Sequence, residues 1–199
     1  MHPPIASTPE SADTAVHRNP PENYMNKRAL VVGGLALAVT AGVVLAIKAA
    51  GKADAGGFLG PGPLLADVNL VLEILLVLGL TLGMRLARSG NIEAHRVNQT
   101  AWVLVNTALV AFIMVSAMAS FKIASFKALA DAGNAITVLH GLVGTFTFLA
   151  GLWLVLQMND VLPPQWHVQR WKALMRITLA GYWAVALLGI VTYYYWYAA

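Results

Sequence analysis

The 199-residue chain has no cysteine, and only 11% of its residues are charged. The first absence excludes disulfides, thiolate metal sites and thioether-linked c-type haem, so any metal or cofactor would have to be held by His, Met or carboxylate. The second excludes an ordinary soluble domain, in which about a quarter of residues carry charge. Also missing are a phosphate-binding glycine loop, a Ser-His-Asp order and a His-Glu-x-x-His helix, which leaves a hydrolase or a nucleotide-driven pump without support. The chain is read as a non-enzyme.

What is present is apolar. Hydrophobic residues make up 58% of the chain and the mean hydropathy is +0.66. No single soluble core could hide so much apolar surface, whereas helices of roughly 20 residues match the thickness of a bilayer. The expected fold is an all-α integral membrane protein, a bundle of about five transmembrane helices behind a disordered N-terminal tail, with lipid as its first partner. The net charge of +4 does not point to nucleic acid, because the cations stand one to three at a time beside apolar segments rather than in a block.

Residues 1 to 26 hold Pro3, Pro4, Pro9, Pro20 and Pro21 among small polar residues, with too few apolar groups to offset the entropy of ordering. With Lys27 and Arg28 this gives a cytoplasmic tail over 1–28. The first span is placed at 29–50. Ala53-Asp54-Ala55 has the small-residue form of a signal cleavage site, but the apolar run exceeds a signal h-region, and a retained span is favoured. Further spans are expected at about Pro63–Leu86, Ala101–Ser120, Ile136–Met158 and Ile177–Tyr197. The absence of alternating ten-residue segments excludes a barrel, and five spans give no even inverted repeat of the kind many transporters show.

Orientation follows from the cations. Arg18, Lys27, Arg28, Arg85, Arg88, Arg96, Arg170, Lys172 and Arg176 fall on one side, against Lys48, Lys52, Lys122 and Lys127 on the other. The excess puts the N-terminus in the cytoplasm and the C-terminus outside. Tyr193, Tyr194, Tyr195, Trp196 and Tyr197 then form an aromatic anchor at the outer interface.

Polar groups inside spans are costly, and so are the natural candidates for function. The second span holds Asp67, Asn69 and Glu73, with Asn69 and Glu73 on one helix face. Glu73 is read either as a protonated acid bonded to a neighbouring helix or as part of a proton relay or ligand site. In the fourth span His140, Gly144, Thr147 and Gly151 share a face, which suits either close helix packing or a flat surface for a macrocycle with His140 as axial ligand. Met114 and Met118 occupy the outer half of the third span, and a His with a Met suits haem iron or copper. A carboxylate beside a His also suits quinol hydrogen bonding or proton transfer. On the cytoplasmic side, His95 and His167 stand at similar distances before their spans and could bind a metal or haem together. The rival reading makes Trp166, Arg170, Trp171 and Lys172 an interfacial anchor.

Three segments together resemble a known family: Gly90-Asn-Ile-Glu-Ala-His-Arg96, Leu139-His140, and Trp166-His-Val-Gln-Arg-Trp-Lys172 leading into a Tyr-rich last helix with Gly189 and Tyr193. They resemble the YozB/CtaM-like small multi-pass membrane proteins, catalogued as domain of unknown function four-twenty, over residues 62–197. The resemblance implies a four-helix membrane domain there, in a bacterial plasma-membrane protein, some of whose relatives are needed to mature haem–copper terminal oxidases. It carries over His95, His140 and His167 as the family's histidines. A further histidine usual near the end of the third span has no counterpart, since Met114, Ala117 and Met118 stand there. The implied role is an accessory factor in oxidase assembly, handling haem or copper. The other readings are a haem- or quinone-binding electron-transfer subunit, and a structural subunit of a respiratory or photosynthetic complex.

Overall fold

The computed structural model describes residues 22–120 and 131–198. It is built from helices: α1 (Glu22–Ala49), α2 (Leu64–Arg88), α3 (Ile92–Leu109), a π-helical turn (Val110–Met114) continuing into α4 (Val115–Ser120), α5 (Ala132–Met158) and α6 (Trp171–Tyr197). A 3-10 turn at Pro164–Trp166 lies between α5 and α6. Five stretches are long and apolar enough to cross a membrane: Asn26–Ala49, Leu64–Arg88, Ile92–Ala119, Ala132–Met158 and Trp171–Tyr197. The described residues therefore form a multi-pass helical membrane protein. Residues 1–21, with Arg18, and the cations Lys122 and Lys127 lie outside the described residues.

Several helices begin earlier than hydropathy indicates, and in each case polar residues near the start find partners. Helix α1 starts at Glu22 rather than after Arg28, and its Asn26 donates to Asp160 at 2.6 Å while accepting from Arg96. Helix α3 starts at Ile92 rather than Ala101, where the Asn91 side chain caps the free Ala94 amide at 3.1 Å. Its next turns are polar but paired: Glu93 with Arg28 at 2.7 Å, Asn98 with the Gly79 carbonyl at 2.8 Å, and Gln99 with the Leu80 carbonyl at 3.2 Å. Helix α5 starts at Ala132, with Asp131 capping the Asn134 amide at 3.0 Å.

Helices α2, α3, α5 and α6 pack in a ring in which each is antiparallel to its two neighbours, and α1 lies against the outside of α3. Leu76, Val77, Leu80, Val103, Val155, Tyr182 and Ala186 fill the ring's centre. Small residues set the spacing at two crossings. Trp102 lies over Gly79, and at Gly151 an added Cβ would stand 2.5 Å from the Tyr182 hydroxyl. Large apolar side chains such as Val39 on α1, Leu78 on α2 and Phe146 on α5 point outward, as a surface in contact with lipid requires.

Candidate functional site

One end of the bundle carries Tyr193–Tyr197 and the other carries Arg28, Arg85, Arg88 and Arg96; they are the Tyr-rich and Arg-rich ends below. At the Tyr-rich end the chain between α1 and α2 folds over the start of α2. Asp67 is fully covered there, and its Oδ2 accepts from the Phe58 and Leu59 amides at 2.5 and 2.6 Å. The Tyr193 hydroxyl of α6 donates to Oδ1 at 2.5 Å. Gly57 and Gly62 let the loop come this close, since a Cβ on Gly62 would stand 2.7 Å from the Tyr193 hydroxyl. Asp67 thus pins the loop and the end of α6 with three donors, and no acceptor oxygen of its carboxylate lacks a partner.

One to two turns deeper the situation differs. Glu73 lies nine residues into α2, His140 eight residues into α5 and Gly189 eight residues before the end of α6, so all three sit about 12–14 Å from the Tyr-rich end. Glu73 Oε1 faces His140 Nε2 at 4.0 Å, in an ion-pair position but beyond hydrogen-bond length. Gly189 makes the convergence possible. A Cβ there would stand 2.7 Å from Glu73 Oε2 and 3.3 Å from His140 Cε1.

This cluster is buried and incompletely bonded. Glu73 is 7% exposed. Its Oε1, His140 Nδ1, Asn69 Oδ1 and Thr192 Oγ1 are buried with no hydrogen-bond partner. The His140 ring also lies near the Val185 carbonyl of α6, yet Nδ1 completes no hydrogen bond of normal geometry. Native proteins leave few buried polar atoms unpartnered, and each one calls for a cause: strain, a chemical role, or a bound water, ion or ligand. An ionisable residue such as Glu73 inside a span is costly to bury, which makes it the natural candidate for a site.

The glycine-rich face of α5 resolves in favour of helix packing. Gly151 lies under Tyr182, Thr147 presses against Gly181, and a Cβ on Gly144 would lie 3.9 Å from Val185. Helix α6 occupies the surface where a macrocycle would stack, so the residues around His140 do not fit haem. Met118 on α4 reaches α5 beside His140, with its Sδ 3.7 Å from the position of a Cβ on Gly141. Half of Met118 is exposed, and Met114 lies in the π-helical turn.

His95 and His167 serve the backbone. His95 is buried within α3, not in a loop, and its Nδ1–H donates to the Gly83 carbonyl of α2 at 2.8 Å. His167 follows the 3-10 turn, and its Nε2–H donates to the Leu162 carbonyl at 3.0 Å. Among the described residues no group of three or more His, Cys, Asp or Glu is placed to hold a metal. Trp166 stacks on Trp153 with ring centroids 6.1 Å apart, and Lys172 lies 5.3 Å over the Trp171 ring.

Sequence reasoning did not single out Thr192 or the contact role of Gly189, although Gly189-Ile-Val-Thr192 places both on one helix face. It also missed the buried Asn106–Tyr182 bond at 3.3 Å and the π-helical turn, whose Phe112 carbonyl accepts from the Lys48 ammonium at 2.5 Å. No local sequence signal marks either one. No family model, curated protein sequence or solved structure matches the chain.

Proposed function

We propose that this chain is a non-enzymatic accessory protein of a respiratory haem–copper oxidase in the bacterial plasma membrane, and that it works through the Glu73–His140 pair. In this reading the N-terminus is cytoplasmic, the C-terminus lies outside, and the pair sits in the outer half of the bilayer. The observation that carries the site is the buried, incompletely bonded carboxylate–imidazole pair at 4.0 Å. The resemblance of Gly90–Arg96, Leu139-His140 and Trp166–Lys172 supplies the class of partner.

The chemistry available is proton exchange and hydrogen bonding. At 4.0 Å an imidazole and a carboxylate exchange a proton through a water or a polar ligand set between them, and either can accept from that ligand while the other donates. Such a pair can protonate or anchor a polar group during assembly of a neighbouring subunit. The crowded α5–α6 contact leaves no face for a macrocycle at His140, so haem carriage is not part of this reading. A quinol headgroup is the second candidate ligand, favoured by the same pairing, because its two hydroxyls match an imidazole and a carboxylate.

Deleting the gene tests the accessory role. The expected result is at least a tenfold loss of haem–copper oxidase activity in membranes, restored by the wild-type chain. Unchanged oxidase activity in the deletion strain contradicts it. Copurifying quinone, with Glu73→Gln lowering its amount, would support the second ligand.

A further inference from the structure

Toward the Arg-rich end, four cations gather on the seam between α2 and α6. The Trp183 indole of α6 donates to the Thr81 hydroxyl of α2 at 3.1 Å, and this exposed bond fixes the register of the two antiparallel helices on that side. Arg85 and Arg88 stand four and seven residues beyond Thr81, on the same face of α2. Arg176 stands seven residues before Trp183, and Lys172 four before Arg176, on the same face of α6. On the rise of an α-helix, Arg88 and Arg176 each lie about 10 Å beyond the Thr81–Trp183 bond, at one level across the seam. All four residues are exposed. The protein itself does not balance them. Helix α6 has no acidic residue, and those of α2, Asp67 and Glu73, lie toward the other end. Glu93 pairs with Arg28 at 2.7 Å and Asp160 accepts from Asn26 at 2.6 Å, both against α1. Among the described residues no carboxylate lies within ion-pair distance of the four cations, and Lys172 rests 5.3 Å over the Trp171 ring.

From this placement we infer that the α2–α6 seam at the Arg-rich end binds the phosphates of an anionic phospholipid. Like charges brought to one place repel, so the arrangement calls for an anion, and guanidinium groups match phosphate oxygens in paired hydrogen bonds. Two features select a lipid over dissolved phosphate. Lys172 and Arg176 belong to the membrane-crossing stretch Trp171–Tyr197, in its first two turns, which places them at headgroup depth. Deeper along the same seam the surface is apolar and open: Leu78, one turn below Thr81, is 50% exposed, and Leu187, one turn below Trp183, is 58% exposed. A phospholipid sets its phosphates among the cations and lays its acyl chains on that strip. The inference goes beyond the Glu73–His140 reading and does not depend on it, because that pair lies toward the Tyr-rich end.

The test is thermal unfolding of the full chain in a nonionic detergent at low ionic strength, with phosphatidylglycerol, phosphatidylcholine of the same acyl chains, or inorganic phosphate added. The midpoint is expected to rise roughly 3–5 °C at a tenfold excess of phosphatidylglycerol over its dissociation constant, with no comparable rise for the other two. The double variant Arg88→Gln/Arg176→Gln should lose that rise. Lys27→Gln/Arg28→Gln, which removes the same charge from α1 at the same end, should keep it. In phosphatidylcholine alone the seam variant should unfold no lower than wild type, because losing like charges relieves repulsion. Equal responses to the two lipids overturn the proposal. A phosphatidylglycerol response that survives in the seam variant overturns it too, and assigns the effect to the field of the whole end. Inorganic phosphate that reproduces the rise overturns the lipid as occupant. A seam variant several degrees less stable in phosphatidylcholine alone also overturns it, by showing that the arginines have partners within the protein.

Discussion

The two halves of the bundle treat buried polar residues differently. Toward the Arg-rich end they act as connectors. His95 bonds α2, Asn98 and Gln99 bond successive α2 carbonyls, and Asn159 donates to Thr100 at 2.9 Å across α5 and α3. A carbonyl oxygen on Gln99 and on Asn159 stays unpartnered, as does Thr178, but each amide is anchored through its nitrogen. In the half near the Tyr-rich end, Asp67 is fully paired, and directly beneath it Asn69, Glu73, His140 and Thr192 each present an unpartnered atom. His95, Asn98, Gln99 and Asn159 each keep a bond to a neighbouring helix, whereas Glu73 and His140 face each other beyond hydrogen-bond length.

That contrast can be broken at positions of decreasing effect. Asp67→Ala removes the acceptor of three charge-assisted bonds and leaves two amides and a phenol unpaired, so a loss of about 3–5 kcal/mol is expected. Detergent unfolding midpoints would show it, and a shift of only a degree or two would mean that the loop is held by other contacts. Next in size is Gly151→Ala, whose Cβ meets the Tyr182 hydroxyl at 2.5 Å and forces α5 from α6 or breaks the Asn106–Tyr182 bond. Overpacking of this kind costs about 1–3 kcal/mol, and restoration by a compensating Tyr182→Phe would confirm the contact. His95→Leu removes the side-chain donor to the Gly83 carbonyl and is expected to cost about 1–2 kcal/mol. A result of that size with oxidase function intact would sharpen the distinction between connector and working residue. The smallest effect belongs to Arg28→Ala, which breaks the Glu93 ion pair at 2.7 Å but involves a side chain 58% exposed, so less than about 0.5 kcal/mol is at stake.

The sequence made the spans legible because apolar runs of bilayer length have no other home. Their edges were not legible, since hydropathy counts Glu93, His95, Asn98 and Gln99 as solvent-seeking while the fold bonds them to Arg28 and α2. Of the site, Glu73, Asn69 and His140 stand out in any reading because ionisable and amide groups are rare in spans. Their partner on α6 does not, because Gly189 is an ordinary span residue until Glu73 and His140 come against it. The α5 glycines were ambiguous for the same reason: a small-residue stripe allows close approach without saying to what, and only the position of Tyr182 and Gly181 decides it.

The most direct test of the central claim is oxidase activity, per unit of folded membrane-inserted protein, in a deletion strain carrying either Glu73→Gln or His140→Ala. Both variants are expected to insert and to unfold at midpoints close to wild type, while oxidase activity falls at least tenfold in each. Wild-type oxidase activity from both variants would contradict it and leave the pair as buried packing.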